Sequence, residues 1–231
     1  MNLRQKLTLI LLLYITVCST AFAEVVNIPD PALDRLIRQK LCIRSDRPIT
    51  QDDMRNLRGD LDAGGNIGIT NITGLEYATN LTTLSFYHNP MSDISPMSGM
   101  TGLTGFNLWG CQIENLTPLR HLPKLTGGIL GNNRISNLEP LSGLSNITFL
   151  NMDHNRISDV RPLSTLHNLV RLELNGNQIV DYSPLANLTN LQVLWIHNNL
   201  GTDFTPLNNL MLEDFRYDQL CDVPRESPSV E

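Results

Sequence analysis

The chain has 231 residues, with 17 Lys plus Arg against 23 Asp plus Glu and a formal net charge of −6. That length holds one or two ordinary domains. The acidic balance, without any run of Lys or Arg, excludes a nucleic-acid-binding stripe. In chain order, the first element is a processing signal. Arg4 and Lys6 give a positive start, Leu7 to Val17 is apolar, and Ala21-Phe22-Ala23 matches the small-x-small rule for signal-peptidase cleavage. The apolar stretch is too short to span a membrane. Residues 1–23 therefore read as a signal peptide, with Glu24 as the first mature residue. The mature protein is expected to be secreted or periplasmic, without stable membrane insertion. The rival readings are an uncleaved anchor and, more weakly, lipidation at Cys18, against which the bulky Val17 before it speaks.

Residues 24–58 read as a helical N-terminal cap. Asp30-Pro31 is an N-cap followed by proline at the first helical position. Leu33, Leu36, Ile37 and Leu41 then mark one helix face. Thr50 and Asp53 resemble a capping box before a second short helix that carries Met54 and Leu57. Residues 59–80 form a degenerate first repeat.

Residues 81–211 hold six units that begin at Leu81, Leu103, Leu125, Ile147, Leu169 and Leu191, a step of 22 residues each time. The clearest, Leu169 to Asn190, carries apolar residues at Leu169, Leu172, Leu174, Ile179, Tyr182, Leu185 and Leu188. That is the pattern L-x-x-L-x-L-x-x-N-x-L of leucine-rich repeats. The alternating L-x-L predicts a short strand with its leucines inward. The ninth residue leaves the strand: Asn89, Cys111, Asn133, Asn155, Asn177 and Asn199. An asparagine amide there can satisfy backbone groups that the turn would otherwise bury unpaired. The sixteenth is always proline, from Pro96 to Pro206, which predicts 3-10 or irregular structure on the far side. One unit cannot bury enough to fold alone, so stacking and end caps are obligatory. Residues 212–231 read as a C-terminal cap and tail, with Leu212, Phe215 and Tyr217 as a closing strand. The fold class is α/β: a solenoid with a parallel β-sheet on its concave face, short 3-10 segments on its convex face and a helical cap. One unit breaks the pattern. Gly128 stands where a leucine belongs, and Phe106 occupies that place one unit earlier, so the Phe106 ring is expected to cover the space beside Gly128.

The segment Ile157-Ser158-Asp159-Val160-Arg161-Pro162-Leu163, and the cap sequence from Ile28 to Leu41, resemble internalin-type leucine-rich-repeat proteins of bacteria. The resemblance covers about Val26 to Leu220. It implies the solenoid, and a role among adhesins, receptors and scaffolds. Internalins proper add an immunoglobulin-like domain and a wall-sorting motif, neither of which this sequence contains, so wall anchoring and host invasion are not implied.

The candidate chemistry is sparse. Cys42 and Cys221 lie in opposite caps, about seven layers and roughly 34 Å apart, beyond disulfide reach. Cys111 reads as a buried structural thiol. There is no C-x-x-C, and the histidines, scattered from His88 to His197, are too far apart to share a metal. Asp153, Glu173 and His197 fall on three consecutive layers without a serine or cysteine nucleophile beside them. Neither catalysis nor a cofactor or metal is expected. The sequons at Asn71, Asn80, Asn115, Asn146 and Asn187 read as structural turns.

The outward strand positions carry the functional reading. They present Tyr87, Trp109, Phe149, Asp153, Arg171, Glu173, Trp195 and His197, with both tryptophans of the chain among them. Large aromatics and arginine on an exposed sheet are what binding hot spots use. The expectation is an exported, non-catalytic module that binds another protein through its concave face. The alternatives are a carbohydrate or surface polymer on the same face, or the recognition part of a larger enzyme system.

Overall fold

A strand that recurs at a fixed step can stack in parallel on its own copies, and the computed structural model shows eight such strands in one sheet. It describes residues 24–218. The expected signal peptide, Cys221 and the tail lie outside the described residues. The strands are β1 (Gly59–Asp62), β2 (Leu81–Ser85), β3 (Gly105–Asn107), β4 (Gly127–Ile129), β5 (Phe149–Asn151), β6 (Arg171–Glu173), β7 (Val193–Trp195) and β8 (Asp214–Arg216). They lie in sequence order, all parallel. From β2 to β7 the register keeps the repeat step: Thr83 faces Gly105, then Gly127, Phe149, Arg171 and Val193. The β1–β2 pairing contains an irregularity between Gly59 and Asp60, where Gly59 faces Leu81 but Asp60 faces Thr83.

The N-terminal cap contains α1 (Pro31–Leu41) and α2 (Gln51–Arg55). Asp30 accepts from the Ala32 and Leu33 amides at the start of α1, and its second oxygen accepts from Thr70. One carboxylate thus caps the helix and ties it to the first turn of the solenoid. The Thr50–Asp53 capping box is present, and Arg47 makes two hydrogen bonds of 2.8 Å to Asp53.

Each convex segment begins with a second side-chain device. Asp93, Asn115, Asn137, Asp159, Asp181 and Asp203 accept from the amide two residues on, at 2.8–2.9 Å. These turns start the 3-10 segments that carry the repeat prolines, such as Arg161–Thr165 and Ser183–Leu185. This explains the Asp or Asn at the thirteenth place: a short acceptor substitutes for the missing helical partner.

The ninth-position asparagines link one layer to the layer before it. The Asn155 amide oxygen accepts from Ile135 at 3.0 Å, while its nitrogen donates to Leu130 at 3.0 Å and to its own layer at Met152. Asn89, Asn133, Asn177 and Asn199 make the same reach. Cys111 can imitate only half of it. Its thiol lies 3.1 Å from the Phe86 carbonyl, but it offers no matching acceptor, and Met91 instead bonds the Asn89 carbonyl at 2.8 Å. Burial pushes the Cys111 thiol up to about 11, so it stays protonated at neutral pH. At the strand starts, Thr82, Thr104, Thr126 and Thr148 each donate a hydroxyl to the preceding layer's backbone.

Between these two polar ladders lie the inward leucines, isoleucines and methionines, forming one continuous core. Phe106 is buried, and a side-chain carbon added to Gly128 would lie 2.3 Å from its ring, so the ring fills the place of the missing leucine. At the far end, Tyr182 stacks on Phe204, and Phe215 of β8 stacks on Tyr217. This aromatic group closes the last layer.

Two stability tests follow from these contacts. Asn155→Ala strands the Ile135 amide in the core and leaves the Leu130 carbonyl with Asn133 as its one side-chain donor, and should cost about 1–3 kcal/mol in urea unfolding. A cost near that of an exposed substitution would contradict the ladder's role. The second test is acid. The Arg47 hydrogen bonds, followed by those of Thr50, hold Asp53 down at about 2 against an ordinary 3.8. The unfolded chain therefore binds the proton first, so this contribution is complete above pH 3.8 and disappears as pH falls through about 2. The difference in urea midpoint between wild type and Asp53→Asn should shrink over that window; a constant difference would contradict it.

Candidate binding face

The concave sheet is built from the second, third, fifth, seventh and eighth places of each unit, and all eight predicted residues lie on it. The eighth place has positive φ in every full unit: His88 (60°), Gly110 (66°), Asn132 (55°), His154 (50°), Gly176 (69°) and Asn198 (56°). Only Gly, Asn and His occupy it, residue types that tolerate the left-handed region. This kink ends each strand and turns the chain toward the buried asparagine.

The large rings do not project singly. Tyr87, Trp109, His88 and His154 each rest over a glycine of an adjacent layer. A carbon added to Gly64 would lie 1.9 Å from the Tyr87 ring, one on Gly131 would lie 2.4 Å from Trp109, and one on Gly110 would lie 2.9 Å from His88. His154 covers Gly176 in the same way, at 3.1 Å. The rings are thus half seated in the sheet, with their orientation fixed by the glycine beside them. Tyr87, Trp109 and Ile129 with Asn151 line an open hollow of about 390 Å³. A smaller hollow of about 240 Å³ lies over Gly105, Gly127 and Phe149.

Trp195 sits differently. Its indole N–H donates to Asp214 at 2.9 Å. Guanidinium groups lie over the ring from both neighbouring strands, Arg171 at 4.7 Å and Arg216 at 3.9 Å from the centroid. Arg216, then Trp195, hold the Asp214 pKa below the usual carboxylate value. Arg171 also pairs with Glu173 at 2.5 Å, and Asn151 donates to the same carboxylate. Of the expected acidic residues, neither is exposed: Asp153 and Glu173 are 7% and 5% accessible. Burial raises the Asp153 pKa, with His154 at 3.4 Å working the other way. Glu173 is therefore a neutralised partner of Arg171, and Asp153 carries the acidity of the face.

Sequence reasoning did not find Asn151, Asn175, Asp214 or Arg216. Asn151 and Asn175 stand at the fifth and seventh places of their units, where small polar residues resemble ordinary surface, and Asp214 and Arg216 lie on the closing strand beyond the repeats, where the period no longer marks the outward places. Among the described residues, no hydrogen-bonded nucleophile and base of a hydrolytic triad occurs, Cys42 and Cys111 are free, and no group of three metal-ligating side chains forms.

The likeness to known proteins agrees with this geometry. Residues 79–121 and 167–209 match the family model described as leucine-rich repeats in two copies. Internalin C2 from Listeria monocytogenes is 30% identical over 82% of this chain and 94% of that one, with a TM-score of 0.65. The chain belongs to the internalin-type leucine-rich-repeat family. Two further structures share the fold of this internalin-type chain. The internalin inlF of Listeria monocytogenes is 23% identical, over 86% of this chain and 80% of that one, with a TM-score of 0.52. A leucine-rich-repeat protein of Leptospira interrogans is 24% identical, over 71% and 45%, with a TM-score of 0.63. No curated protein sequence matches the chain.

The ring-on-glycine arrangement is testable in the internalin-type fold. Gly131→Ala forces Trp109 off its seat. It should change the near-UV circular dichroism and tryptophan emission, at a stability cost of about 1–3 kcal/mol. An unchanged tryptophan spectrum would show that the ring does not rest there.

Proposed function

We propose that this protein is an exported, non-catalytic recognition module that binds another protein across its concave face. The observation that carries this reading is the run of half-seated aromatic and arginine side chains from Tyr87 to Trp195 on one open sheet. Rigid aromatics and arginine supply contact area at low entropic cost, which is what protein hot spots require. The face spans six layers from Tyr87 to Trp195, five steps of about 4.8 Å or roughly 20–25 Å, a length suited to an extended partner surface. Internalin-type repeat proteins act in recognition, which supports the same reading. Its hollows are open rather than enclosed, unlike the sites that bury a small substrate.

Export is supported by the basic start, apolar stretch and Ala21-Phe22-Ala23 of the sequence. N-terminal sequencing of protein recovered outside the cytoplasm should read from Glu24. An intact Met1 on membrane-bound protein would refute it.

The binding test uses a partner captured by affinity purification with the protein as bait. Trp109→Ala and Trp195→Ala should each weaken the complex by ~2 kcal/mol or more with little change in melting temperature. Glu139→Ala, on the convex side, should bind as wild type. Loss of binding in the convex variant alone would overturn the concave-face reading, and capture of a polysaccharide in place of a protein would overturn the choice of partner.

A further inference from the structure

The concave face contains acceptor oxygens that the protein itself leaves without donors. Asn151 Oδ1, Asp153 Oδ1 and Asn175 Oδ1 are each buried and have no hydrogen-bond partner. Their residues are 9%, 7% and 6% accessible. All three lie on β5, β6 and the turns that leave them, at fifth and seventh places of adjacent layers. Strand geometry separates such neighbours by about 5 Å across layers and about 7 Å along a strand. A buried acceptor without a donor destabilises the fold that contains it. Three of them in one patch form a site that is incomplete without a donor from outside.

The nearby charges give the sign of that donor. Glu173 is paired with Arg171, whereas the one cationic partner of Asp153 is His154 at 3.4 Å, with the Asn175 side chain beside it. Two carboxylates and one guanidinium leave one net negative charge. The π-system of Trp109 adds to it. A carbon placed on Gly131 would lie 2.0 Å from Asp153 Oδ1 and 2.4 Å from the Trp109 ring, so carboxylate and ring border the same small space. Asn151 and Trp109 also line the open hollow beside Tyr87 and Ile129, which gives an approach from solvent. The aliphatic stem of a long side chain can lie on Ile129 while its head reaches the oxygens after a small turn of the indole. An ammonium carries three N–H donors and a guanidinium five, and both bind aromatic faces.

The geometry points to a subsite for a basic side chain, lysine or arginine, of the partner protein, entering by the hollow beside Trp109 with its cation on Asn151 and Asp153. This assignment rests on the concave-face reading and gives it a chemistry. The Trp109 ring fills the space over Gly131, so the cation enters as the indole turns aside while the backbone stays in place.

The probes are N-acetyl-lysine methylamide and N-acetyl-arginine methylamide, with the uncharged norleucine and citrulline analogues as controls. Each is titrated into isotope-labelled protein. The cationic probes should shift the Trp109 indole and the Asn151 and Asn175 side-chain amides saturably, at least about fivefold tighter than their controls. The lysine and arginine arms show which head group fits better. Asp153→Asn should lower that affinity about fivefold or more, while Glu139→Ala leaves it unchanged. If Asp153→Asn does not fold, Trp109→Leu is read in its place with the same expected loss. Equal binding of the neutral analogues, an unshifted Trp109 indole, or full affinity in the Asp153 variant would each overturn the subsite. The probes need no partner protein. Their failure with tryptophan variants still defective in partner binding sinks the subsite alone, and the reverse pattern sinks the concave-face reading alone.

Discussion

The structure depends on one requirement: every layer ends its strand in a turn whose backbone groups point into the core, where water cannot reach them. Buried peptide groups must find partners, and in a solenoid the neighbouring layer is the only source. The ninth-position asparagine meets that need with one amide. It accepts from the preceding layer at positions such as Ile157 and donates to carbonyls of both layers. The leucines provide the burial, but leucine contacts are tolerant of sliding. The amide is directional, so it fixes how far each layer is displaced from the last. The convex Asx turns and the threonine hydroxyls repeat the same logic at the other two corners of the coil.

Fixed layers make the concave sheet a rigid surface, and its side chains are then sorted by what the adjacent layer offers. Tyr87, Trp109 and His88 lie down because Gly64, Gly131 and Gly110 leave room for them. Trp195 has no glycine beneath it and is held by Asp214, Arg171 and Arg216 instead. The face therefore has two different halves. Toward the N-terminus it is aromatic and hollow; toward the C-terminus it is a network of charges. Asp153 and the asparagine oxygens without partners lie between the halves, with no arginine paired to the Asp153 carboxylate.

Much of the architecture was legible in the sequence because its causes recur. A 22-residue step, an amide at the ninth place and a proline at the sixteenth each report a need that every layer shares. The place of Phe106 over Gly128 was legible too, since a vacant leucine place must be filled from next door. The burial of Asp153 and Glu173 was not. Reading down one column of the repeat shows which residue type stands there, but not what the neighbouring layers lay over it. The ring-on-glycine pairs escaped for the same reason: they join different residues on adjacent layers, so no period reveals them. The left-handed eighth place was visible in principle, because Gly, Asn and His alone occupy it, but those types also suit any exposed turn.

Amide hydrogen exchange of the wild-type protein tests the central claim most directly. If the asparagine amides hold the layers together, the Ile135, Ile157 and Ile179 amide protons, each bonded to an asparagine of the next layer, exchange only through unfolding of the stack. They should then be among the slowest in the chain, with one common opening free energy. Exchange of these protons at the rate of an exposed convex amide such as Val180 would contradict the account, because it would mean that the layers are held by leucine packing alone.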